Sequence, residues 1–184
     1  YPSCQYELFE SIPQVVSISN NFFFKSIPDE REIWEAIQSL NKSSAPGPDG
    51  FLTSFYVTSW ELIKDDLIAS IQDYFQGGEL PRVVYANIIT PIQKVKDPTS
   101  LNQFKPISMC NVSYRILASV LNRRLSSYLS GWVSEEKHRF VKGRSTQMVI
   151  GRAQEMVEDI NIKARRSNIV INIDMDKAYD RLAW

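Results

Sequence analysis

Apolar side chains recur every three or four residues along much of this chain, the period of helices with one face in a core. In SIPDEREIWEAIQSL, Ile33, Trp34, Ile37 and Leu40 share such a face, and Ser26 and Asp29 precede it at capping-box spacing, so a helix is expected over 29–40. A longer helix is expected over 54–75, with Phe55, Trp60, Leu62, Ile63, Leu67, Ile71 and Phe75 as apolar positions and Gly77, Gly78 and Pro81 as its end. NVSYRILASVLNRRLSSYL (111–129), capped by Asn111 or Ser113, and the stretch 145–166 supply two more. Two segments have a different pattern. VVYANIITPI (83–92) is β-branched, and NIVINID (168–174) is a continuous apolar run of the kind found in buried strands. NKSSAPGPDG (41–50) is dense in turn residues, 95–108 reads as a loop leading to a further element, and 1–25 reads as irregular. Helices with a few separated strands predict an α+β fold.

Composition narrows the function classes. At 184 residues and 43% hydrophobic content, the chain suits one domain, or a domain and a piece of another, with a sizeable core. Cys4 and Cys110 are far apart and form neither a disulfide framework nor a metal knuckle, and the single His138 excludes a histidine-based zinc site. No apolar run reaches the roughly 18 residues that span a bilayer. The net charge of zero hides an asymmetry: residues 1–80 hold 12 acidic and 4 basic side chains, and residues 81–184 hold 9 acidic and 17 basic. Seven Lys/Arg and two Glu lie between Asn111 and Arg144, so a polyanion is a candidate partner and a solvated charged face is the plain alternative.

The last strand carries the chemistry. Ile169, Ile171 and Ile173 share one side of it, and Asp174 emerges near its end on the other. A carboxylate there suits Mg²⁺, a hard ion that takes oxygen ligands; equally, Asp174 or Asp176 could cap a following helix. A D-x-D after an apolar run also opens phosphatases of the haloacid-dehalogenase type. The Lys177 and Ala178 that follow, and the ten residues after Asp174, argue against that reading.

Taken in order, NKSSAPGPDGF, DPTSLNQFKPISMCNVSYRILASVLNRRL, FVKGRS and IDMDKAYDRLAW resemble the reverse transcriptase of plant non-LTR (LINE-type) retrotransposons. The resemblance runs from about residue 36 to the end. It implies a right-hand polymerase fold, with fingers and the first palm strand present and the chain cut before the rest of palm and thumb. Residues 1–35 are then an upstream extension, 36–166 the fingers region with part of the palm, and 167–184 the first palm motif. It further implies RNA-templated DNA synthesis with Mg²⁺ as cofactor, and an RNA template, a DNA primer and dNTP as partners, in nucleus or cytoplasm.

By the same resemblance, Asp174 is the first catalytic carboxylate and a metal ligand, and Tyr179 is the bulky ring that excludes a ribose 2′-OH. Lys94 and Lys105 are the basic residues that meet the triphosphate. Arg115, Arg123, Arg124 and Arg144 are the expected nucleic-acid contacts in the basic stretch. The sequence departs from the family in several places. Lys105 stands where Arg is usual, PIQK replaces an I-P-K segment, and Lys137, His138, Arg139, Met148 and Val149 replace small or polar residues. No second palm motif with paired aspartates follows, so the expectation is a partial reverse transcriptase, inactive alone. The alternative is a non-catalytic nucleic-acid-binding remnant.

Overall fold

The computed structural model describes residues 14–134, 137 and 141–160. Among them the element order is α1 (Ile18–Lys25), α2 (Glu30–Ser39), α3 (Thr53–Thr58), α4 (Trp60–Phe75), α5 (Arg82–Tyr85), β1 (Asn87–Gln93), a 3-10 turn (Leu101–Gln103), β2 (Phe104–Cys110), α6 (Val112–Trp132) and α7 (Thr146–Ile160). The chain divides after residue 132 into two compact units, and α7 belongs to the second. Helices and a small sheet make this an α+β chain. Among the described residues no helix is long and apolar enough to cross a membrane.

The core of the first unit forms where the apolar faces of α2, α4 and α6 meet. Ile33, Ala36 and Ile37 of α2 and Val112, Ile116 and Val120 of α6 are fully buried, and Trp60 and Ile71 join them from α4. Each large aliphatic side chain so placed contributes about 1.5–3 kcal/mol. Trp34 and Trp60 add a ring contact at 4.7 Å between centroids. The helix expected over 54–75 is two helices, because the chain turns at Ser59, and Leu62 faces solvent at 87% exposure. The capping expectation shifts as well. Asp29 alone caps α2, accepting from the Glu32 N–H at 2.7 Å, while Ser26 closes the preceding helix.

Three expectations are corrected in outline, the first being the strand expected over 83–92, which begins only at Asn87 because Arg82–Tyr85 form α5. The stretch 1–25 is not irregular throughout, since 18–25 form α1, capped by Ser17 and Asn20 in a capping box. Its Phe23 and Phe24 lie against Tyr128 on α6, and Phe24 also meets Trp132. The presumed loop 95–108 contains most of a strand: β2 pairs antiparallel with β1, from Asn87 opposite Cys110 to Gln93 opposite Phe104. The strand expected over 168–174 lies outside the described residues.

Candidate nucleic-acid interface

The ribbon of β1 and β2 brings two predicted site residues together. Side chains alternate faces along a strand, and residues directly opposite share a face. Lys105 stands opposite Ile92, and Lys94 follows Ile92 by two, so both lysines lie on the face of Ile88, Thr90 and Ile92. The Lys94 N–H donates to the Gln103 carbonyl at 2.8 Å, which extends the ladder one residue beyond the strands and fixes Lys94 and Lys105 as diagonal neighbours. Such neighbours stand about 7–8 Å apart. Lys94 Nζ also donates to the Asn102 carbonyl at 3.2 Å, and Lys105 is exposed. Two ammonium groups on one face of the ribbon repel each other, which an anion between them would relieve.

The four arginines expected to meet nucleic acid are arranged otherwise. Arg124 is a correction, for it is 4% exposed and committed within the protein. Its Nε and Nη2 fork onto Glu32 at 2.6 and 2.7 Å. Its Nη1 donates to the carbonyls of Phe23, Phe24 and Ser26, at the C-terminal end of α1, where the helix dipole favours a cation. The guanidinium also lies over the Phe75 ring, 4.9 Å from its centroid. Arg115 holds the 41–50 loop, donating from Nη1 to Ser44 Oγ at 2.6 Å and from Nη2 to the Ala45 carbonyl at 3.1 Å. Arg123 pairs with Glu35 at 2.7 Å, both side chains being 40% exposed. In the second unit, Arg144 donates to the carbonyls of Val133, Ser134 and Lys137. Asp174 and Tyr179 lie outside the described residues.

One residue with a positioning role was missed by the pattern of the sequence. Asn111, at the junction of β2 and α6, is 1% exposed. Its Oδ1 accepts from the Asp49 N–H at 3.1 Å, and its Nδ2 donates to the Val83 carbonyl at 2.7 Å. Asn111 and Arg115 are one helical turn apart, so they grip the loop at two places from one face of α6. Gly47 is required by this arrangement, since a Cβ there would collide with Asn111 Oδ1 and with the backbone of Cys110 and Asn111. Beneath the loop, burial pushes the Tyr56 phenol above its ordinary range, the Asp49 carboxylate adds to the effect, and bonding with Ser113 opposes it.

At the base of the ribbon an open cleft of about 710 Å³ is lined by Tyr74, Glu79, Tyr85, Asn87, Cys110 and Tyr114 among others. Among the described residues, no group of three or more His, Cys, Asp or Glu is placed to hold a metal ion.

The chain is similar to a protein encoded by a transposon. That relative is the Transposon TX1 uncharacterized 149 kDa protein of Xenopus laevis, 24% identical over 184 residues, a match covering 98% of this chain and 14% of the relative. No family model matches the chain.

Proposed function

We propose that this chain is the fingers region and first palm strand of a LINE-type reverse transcriptase of the plant kind its motifs resemble, and that the lysine-bearing face of the ribbon meets phosphates. The observation that carries the reading is the pairing of Lys94 and Lys105, eleven positions apart in sequence, on one face of an exposed ribbon. The similarity to a transposon-encoded protein supports it from a separate direction. The loop held by Asn111 and Arg115 then forms a fixed ledge beside the ribbon's base, where the chain passes from β2 into α6. In this reading Asp174 is a ligand for Mg²⁺, which when bound supplies positive charge to the triphosphate and the primer end. Tyr179 bars the ribose 2′-OH by bulk.

The test is salt-dependent binding of an RNA–DNA hybrid by the 184-residue chain. Each lysine that neutralises a phosphate contributes about one to the slope of log affinity against log salt, so Lys94→Ala with Lys105→Ala is expected to flatten that slope by about two. An unchanged slope rejects the phosphate role of the ribbon. For the chemistry, the segment grafted into a longer relative is expected to lose DNA synthesis with Asp174→Ala. With Tyr179→Val it is expected to keep synthesis and accept ribonucleotides.

A further inference from the structure

The two strands of the ribbon place a proline opposite a proline, Pro91 against Pro106, at the middle of the ladder. In an antiparallel pair, opposed residues alternate between those that exchange hydrogen bonds and those that do not. The bond from the Lys94 N–H to the Gln103 carbonyl marks that pair as bonded. Counting back along the register, Ile92 with Lys105 is bonded and Pro91 with Pro106 is not. At an unbonded pair the backbone groups point away from the partner strand, toward whatever lies beyond each edge. The ring of proline occupies the place of that outward N–H. The ribbon therefore loses nothing internally, while each outer edge lacks its central donor and presents ring carbons instead.

The edges need such protection. β1 reads NIITPIQ, a segment without a charged residue in which Ile88, Ile89 and Ile92 are exposed, Ile89 at 65%. Short uncharged β-branched segments without proline are the ones that add strands from other molecules. Among the described residues the ribbon is a two-stranded sheet, so both of its strands are edges there. We propose that Pro91 and Pro106 are a matched pair of edge blocks that stop a second copy of this chain from adding a strand to the ribbon, leaving only its faces for a partner. The inference stands on the ladder geometry and does not depend on the function proposed above.

The experiment compares the 184-residue chain with its Pro91→Thr/Pro106→Thr variant by sedimentation velocity across concentration, and by amide exchange at Ile89 and Ser108. These two residues face each other at the next unbonded pair, so their N–H groups also point outward. The expected result is concentration-dependent association of the variant, with exchange at both amides slowed by about tenfold or more. Adding Ile89→Pro and Ser108→Pro to the variant moves the block two residues along each strand and is expected to abolish the association. The helical core is built without the ribbon, and far-ultraviolet circular dichroism checks that it is intact; Pro91→Thr alone carries the same expectation for one edge. A variant that sediments like the unchanged chain overturns the inference. So does association with fast exchange at Ile89 and Ser108, or association that survives the relocated prolines.

Discussion

The arginines of α6 and the lysines of the ribbon carry the same formal charge, and the fold uses them in opposite ways. On α6, Arg115 and Arg124 turn toward carbonyls and a carboxylate and hold other segments in place, and Arg123 reaches across to α2. On the ribbon, Lys105 points to solvent and Lys94 makes a single contact with a neighbouring carbonyl. The chemistry of the two side chains accounts for the division. Guanidinium is planar, weakly hydrated and supplies five donors, so it can satisfy a fork and several carbonyls when buried, whereas ammonium is strongly hydrated and stays in water. A basic stretch in a sequence is therefore not yet a basic surface.

The sharpest way to break this contrast is to truncate one member of each set. Arg124→Ala removes the guanidinium from Glu32 and from the Phe24 and Ser26 carbonyls, while the Phe23 carbonyl keeps its Ser26 donors, and is expected to destabilise the first unit by about 3–5 kcal/mol. Lys105→Ala is expected to change stability by no more than about 0.5 kcal/mol. Denaturant titration of both variants decides the matter: equal losses would mean that Arg124 is not the internal fastener described here. Next in size is Asn111→Ala, which removes two buried hydrogen bonds and is expected to cost about 1–3 kcal/mol. Trypsin should then cleave faster after Lys42, in the loop that Asn111 holds; unchanged cleavage would place the grip elsewhere.

The smallest effect concerns Tyr56. Its phenol keeps its proton in the folded state to a higher pH than in the unfolded chain, where the ordinary value is near 10.0. Below that pH both states are protonated and stability does not respond. Above it the unfolded chain ionises first, so stability falls as pH rises toward the folded value. Tyr56→Phe is expected to make the loss above pH 10 less steep, measured by thermal unfolding across that range; an identical slope rejects the assignment.

What could be read in the sequence follows the distinction between local and distant causes. Ile33 and Ile37 announce α2 because helical burial repeats within a few residues. β2 gives no such signal. Lys105, Pro106 and Ser108 interrupt its apolar residues, and it becomes a strand through pairing with β1. The burial of Arg124 did leave a trace. Ile116, Val120 and Arg124 follow at intervals of four, so the core face of α6 runs directly onto an arginine. Read as period before charge, that position calls for an internal partner. Asn111 is legible only as a cap of α6, since its two partners are 62 and 28 residues away in the chain.

Those separations also set an order of events during synthesis. α2 emerges from the ribosome well before α6, because Glu32 and Arg124 are 92 residues apart. At about 5–20 residues per second, α2 waits on the order of 5–20 s for the helix that covers it. Throughout that interval Ile33, Ala36 and Ile37 have no α6 to lie against, and the C-terminal carbonyls of α1 have no guanidinium. The first third of the chain is thus made before α6 secures it, and a ribosome stalled short of residue 112 would hold α2 with α4 to meet it but with the α6 side of its apolar face uncovered.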